Sequence, residues 1–267
     1  MDASADFSWT VWNAHSSVIV GLLILGGGYL YGAGPLRERL GLAEYVEPGK
    51  VAAFFGGLLV IFLALVGPLH ELAENYFFTA HMTQHLLLQL AMPPLLILGT
   101  PDWLLRPLFR SPRVVRLGRL LVHPVTAFAL FNAVLVGWHL PPLYDLALKH
   151  HNLHIAQHFT FMVTAVIAWW PLLSPLPELP RPHPSVQMIY LFAQSVPMGF
   201  LGAIITFAGE PTYTFYAEAP RLWGVSALLD QQLGGVLMKS AAGVVFLIAL
   251  SVVFFTWFAR EEREAEA

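Results

Sequence analysis

The chain has 267 residues, 57% of them hydrophobic and 12% charged, with a mean hydropathy of +0.63. Soluble domains carry roughly 25% charged residues, so this composition excludes that class and predicts an all-α integral membrane protein. A formal net charge of −3 offers nothing to a nucleic acid. The sequence has no cysteine, which leaves any soft-metal chemistry to histidine and methionine.

No basic stretch precedes the first apolar run in MDASADFSWTVWNAH, so no cleaved signal peptide is expected. A membrane helix needs about 20 mostly apolar residues. Seven stretches qualify, at 16–33, 50–68, 79–99, 123–140, 152–173, 185–208 and 230–258. Residues 1–267 read as a single multi-span membrane domain, with no soluble domain, low-complexity tract or internal repeat apparent.

In the first stretch, Gly28 and Gly32 make a small-residue step that permits close helix contact, within the chain or in a homo-oligomer. In the third, Pro93–Pro94 predicts a bend. Five arginines between Arg106 and Arg119 suit the anionic cytoplasmic leaflet. Asp230 opens the seventh stretch as an N-cap or an outer carboxylate, and Lys239 follows further in, with no partner assignable.

Basic residues set the direction of the spans. With the N-terminus outside, the inner segments hold Arg37, Arg39, Lys50, Arg106, Arg110, Arg113, Arg116, Arg119, Arg181, Arg260 and Arg263. The outer segments hold only Lys149 and Arg221. The expected topology is therefore seven helices, N-terminus outside and C-terminus cytoplasmic. All eight tryptophans fall near the predicted span ends, where interfacial belts place them.

This topology sorts the eleven histidines. His15, His70, His81, His85, His139, His150, His151, His154 and His158 lie at the outer face, leaving only His123 and His183 inside. His81 and His85, four residues apart, project from one helical face, and His151, His154 and His158 form a second stripe. Two such stripes on facing helices, with His139 nearby, can surround one cation. Imidazole suits copper, zinc, iron or nickel.

The segments HMTQHLLLQLAMPPLLILGTP (81–101), GWHLPPLYDLAL (137–148), HNLHIAQHFTFMVTAVIAWWPLL (151–173) and DQQLGGVLM (230–238) resemble the CtaG-type assembly factors of caa-type cytochrome c oxidase. After Met238 the pattern departs, with KSAAG in place of an aromatic residue and a proline-glycine turn. The resemblance implies a non-catalytic, multi-pass protein of the bacterial cytoplasmic membrane. Such a protein supplies copper, as Cu(I), from an extracytoplasmic donor to an oxidase subunit. The resemblance carries His81, His85, His139, His154 and His158 over as metal ligands, with Met82 and Asp230 as auxiliaries, and the outer-face placement adds His70 and His151 to the auxiliaries. Two other readings of the histidines stand beside it: a membrane di-iron oxygenase or desaturase, and a haem protein with His85 and His158 as axial ligands.

Overall fold

The computed structural model describes residues 7–12 and 15–266. It is 80% helix, with no strand among the described residues. The helices used below are α1 (Ser16–Leu40), α2 (Pro48–Leu65), α3 (Pro68–Asn75), α4 (Phe78–Gly99), α5 (Pro112–Leu121), α6 (Pro124–His139), α7 (Pro141–Lys149), α8 (His151–Leu173), α9 (Pro184–Phe207), α10 (Thr214–Glu218) and α11 (Ala227–Ala265). Six of these start on proline, whose missing N–H costs nothing at the first helical position.

Six helices are long and apolar enough to cross a membrane: α1, α2, α4, α8, α9 and α11. A seventh span arises if α5 and α6, which meet at 62°, are one broken span. These positions follow the expected spans closely, with three differences. α1 continues to Leu40 through a π-helical turn at Gly32–Leu36 that accommodates Pro35. The fourth stretch is one arm of the bent pair. α5, its other arm, exposes Val114, Leu117 and Leu120 beside its arginines, as an interfacial helix does. The seventh span begins at Ala227, before Asp230, and its 39 residues exceed a bilayer crossing.

The proline pair in α4 is resolved by a neighbour. Pro93 cannot donate to the carbonyl of Gln89, four residues back. The Trp169 indole of α8 donates to that oxygen instead, at 2.9 Å. A π-helical turn at Leu87–Ala91 immediately precedes the prolines.

Close approach at glycine joins the helices. A Cβ on Gly235 of α11 would lie 2.4 Å from Thr206 Oγ1 and 2.7 Å from the Gly202 carbonyl of α9. A Cβ on Gly99 of α4 would lie 2.3 Å from the Phe54 nitrogen of α2. In α1, Gly32 packs under Leu104, whereas Gly28 has nothing within 4 Å, so the step seen in the sequence is half used within the chain.

Gly235→Ala is therefore expected to destabilise the α9–α11 pair by about 1–3 kcal/mol in denaturant unfolding in micelles. Gly28→Ala should stay within about 0.5 kcal/mol of wild type.

Candidate metal centre

The site is built where α4, α6 and α8 end at the same level of the bundle. Asp230, in the first turn of α11, holds the start of α4. Its Oδ2 accepts from the Phe78 N–H at 2.8 Å and its Oδ1 from the Thr79 N–H at 2.9 Å. These are among the first N–H groups of α4, which have no partner within the helix. Asp230 thus caps a different helix from the one expected. α11 itself is capped by Ser226, whose hydroxyl accepts from the Leu229 N–H.

One turn beyond the cap, His81 and His85 face each other with their Nε2 atoms 2.7 Å apart. His158 of α8 completes a group of three buried imidazoles whose ligand atoms lie within 4.8 Å of one another. Two more rings border it. His154 lies 4.3 Å from His158 and 5.3 Å from His81 between ring centroids, and His139 lies 6.2 Å from His85.

Hydrogen bonds assign the protons on these rings. The Tyr216 hydroxyl donates its one hydrogen to the Ala73 carbonyl at 2.6 Å. At its 2.7 Å contact with His81 Nδ1 it must therefore accept. His81 carries its proton on Nδ1, which leaves Nε2 with a lone pair. The Leu135 carbonyl accepts from His139 Nδ1 at 2.7 Å, and the Glu74 carboxylate accepts from His154 Nδ1 at 2.9 Å. The Nε2 atoms of His139, His154 and His158 are buried without a hydrogen-bond partner. Three of the five rings are therefore held in the tautomer that bares Nε2, the arrangement that orients imidazole toward a metal. Burial raises the Tyr216 phenol well above its ordinary range, so it remains a donor to Ala73.

Glu74 of α3 anchors a second group. His70 Nε2 lies 3.2 Å from its Oε1, and His15 Nε2 lies 3.8 Å from its Oε2. Gln84 donates from Nε2 to the Ala64 carbonyl and to His70 Nδ1, so the His70 proton sits on Nε2, toward Glu74. Burial drives the His70 imidazole down to about 4, against the upward pull of Glu74, and keeps it neutral. Burial alone would raise the Glu74 carboxyl. The His154 hydrogen bond and the neighbouring His70 outweigh that and hold it below its ordinary value, as an anion. His15, His70, Glu74, His151, His154 and His158 line one end of a cavity of about 530 Å³, whose remaining walls are apolar side chains of α1, α2, α4 and α8.

The expected residues thus separate by geometry. His81, His85 and His158 converge, His139 and His154 flank them, and His70 joins Glu74. His151 lies tilted against His15 at the rim, 4.6 Å between centroids. Met82 packs against Gly234 in the apolar core. Lys239 is exposed, and its backbone nitrogen and Cβ crowd Gly202 of α9. Tyr216, Gln84 and Gln157 carried no expectation. Gln84 and Gln157 are fully buried, and neither amide atom of Gln157 has a partner.

The glutamines do have a signal in the sequence, because the chain contains a repeat after all. PLHELA (68–73) followed by HMTQH (81–85) matches PLYDLA (142–147) followed by HIAQH (154–158), with one residue less between the two parts. Each copy is a spanning helix, a short proline-started helix and a second spanning helix opening on HxxQH: α2–α3–α4 and α6–α7–α8. Composition and span length conceal the relation, since the apolar stretches differ freely and only the polar positions are shared.

Uncharacterised proteins of Mycobacterium bovis and Mycobacterium tuberculosis are each 28% identical to this chain over 271 residues, covering 95% of it and 40% of their own length. One from Mycobacterium leprae is 27% identical over 274 residues, covering 96% of this chain and 41% of its own. The chain therefore spans about two fifths of these relatives. No solved structure matches it. Residues 27–260, which include both copies of the repeat and every residue of the site except His15, match the cytochrome c oxidase caa3 assembly factor family, and the chain belongs to that family, Caa3_CtaG.

Proposed function

We propose that this protein holds copper, as Cu(I), at the outer face of the bacterial cytoplasmic membrane and passes it to a cytochrome c oxidase subunit during assembly. It would receive the ion from an extracytoplasmic donor and carry out no catalysis of its own. His81, His85 and His158 are the ligands, with His139 and His154 able to take part as the ion arrives or leaves. The observation that carries this reading is the convergence of ligand atoms from His81, His85 and His158 within 4.8 Å, with His81 and the flanking His139 and His154 oriented through Nδ1 by Tyr216, Leu135 and Glu74. Membership of an oxidase assembly family supports the recipient. A cysteine-free, all-imidazole set suits an ion that must later be released.

The bias of eleven basic residues to two supports placing the histidine end outside. The geometry argues against the haem alternative. A flat macrocycle would need a clear gap between His85 and His158, whereas the His81 ring lies beside both, 4.1 and 5.9 Å away between centroids. The bias of basic residues argues against the di-iron alternative, since the histidine boxes of those enzymes face the cytoplasm.

Cu(I) titration of the purified protein against a competing chelator tests the ligands. His85→Ala and His158→Ala are each expected to weaken binding by more than the roughly 10–100-fold that loss of a supporting hydrogen bond costs. Unchanged affinity and stoichiometry in both variants would refute the site. Tyr216→Phe, which frees the His81 Nδ1 proton, should fall within that 10–100-fold range and leave stoichiometry intact. For the topology, a reporter active only in the cytoplasm should be active when fused after residue 267 and silent when inserted at 149–150.

A further inference from the structure

The buried imidazoles are not reachable from water directly. His81, His85 and His158 are at most 6% exposed, whereas the side chains of His15 and Glu74 are 31% and 25% exposed. The donor atoms of His15, His70 and Glu74 all lie within 4.8 Å of one another, and the Nε2 atoms of His15 and His70 have no hydrogen-bond partner. Glu74 adds an anionic oxygen, which the inner group lacks. His70, His154 and His158 border the same cavity as His15 and Glu74, so one space runs from the outer group to His158 of the inner one. His154 stands between them, with Nδ1 on Glu74 and its ring beside His158 and His81.

We propose that His15, His70 and Glu74 form a second cation site, a loading site from which copper passes by way of His154 to the buried imidazoles. This deepens the copper reading above and rests on it. The carboxylate attracts the ion from solvent and offsets its charge while it sheds water. The metal-free His70 carries its proton on Nε2. When a cation takes Nε2 that proton moves to Nδ1, and the Gln84 amide turns away from the Ala64 carbonyl so that its Oε1, now buried without a partner, accepts from Nδ1–H. The repeat explains why the site forms once. Position 70 of the first copy corresponds to Tyr144 of the second, which packs against His81 and His139 and provides no ligand nitrogen.

The test uses the full-length protein with Cu(I) delivered from a chromophoric chelator. Wild type is expected to bind two equivalents per chain, and His15→Ala, Glu74→Gln and His85→Ala one each. His15→Ala should also fill the buried site about tenfold more slowly. His15 makes no side-chain cap bond to α1, so its replacement leaves the helix start intact. One equivalent in wild type, lost in His85→Ala but kept at an unchanged rate in His15→Ala, overturns the loading site and leaves the copper reading standing. Two equivalents in both His15→Ala and Glu74→Gln likewise overturn it. No copper in wild type overturns both.

Discussion

The histidine site depends on a carboxylate that belongs to one helix and caps another. Asp230 is 1% exposed, yet both its oxygens are bonded, to the Phe78 and Thr79 N–H groups at the start of α4. Thr79 returns a bond from its hydroxyl to the Asp230 carbonyl at 2.7 Å. Arg221 lies 3.8 Å from the same carboxylate and anchors the loop that carries Tyr216. One turn along α11, Gly234 lets Phe78 sit directly on the helix backbone, where a Cβ would lie 2.4 Å from its ring. The register of α11 against α4 is thereby set within one turn of His81. The segment DQQLGG is accordingly a clamp. Asp230 holds α4, Gln231 bonds Thr212 and Ile205, Gly234 admits Phe78, and Gly235 admits α9.

Such rigidity has a physical motive. Buried imidazoles with bare lone pairs are costly in a low-dielectric interior, and a loose scaffold would let them turn and pair with one another or with backbone. Holding the Nδ1 protons of His81, His139 and His154 on fixed acceptors limits that escape, although His81 and His85 still meet at Nε2. The acceptors come from unrelated places: a phenol on the loop before α11, a carbonyl one turn back in α6, and a carboxylate on α3. Together they decide which nitrogen of His81, His139 and His154 faces the centre. The metal-free pair His81–His85 keeps one shared proton between its Nε2 atoms. His85 Nδ1 is then a buried atom without a partner, a cost that the rest of the fold offsets.

The spans and the histidine convergence were legible because each rests on a constraint local in sequence. Hydrocarbon thickness demands a run of about 20 apolar residues, and a four-residue spacing puts two rings on one helical face. The backbone donors missing at the proline pair were legible, although not what replaces them, since Trp169 lies 80 residues from the carbonyl it satisfies. Tyr216 was not legible for the same reason, being 135 residues from His81 on a loop with no periodicity to read. Asp230 shows how local reasoning fails. An acid at the head of a helix reads as that helix's own cap, and only the tertiary contact reveals that its oxygens serve a neighbour.

The repeat accounts for the asymmetry of the site. Two copies of a hairpin, each ending in HxxQH, bring their paired histidines face to face, and a symmetric centre would use them alike. The copies differ where their short helices meet the histidines. His70 of the first reaches Glu74, and through it His154 of the second copy, whereas Tyr144 of the second lies against His81 of the first. The glutamines differ too. Gln84 is spent on Ala64 and His70, while the equivalent Gln157 is fully buried with neither amide atom engaged. The side of the centre at His70 is thus a polar network open to solvent, and the side at Tyr144 an aromatic wall that Tyr213 and Phe78, from outside the second copy, complete. A centre with one wet side and one dry side gives a bound ion a single direction of approach, which a symmetric pair of hairpins would not.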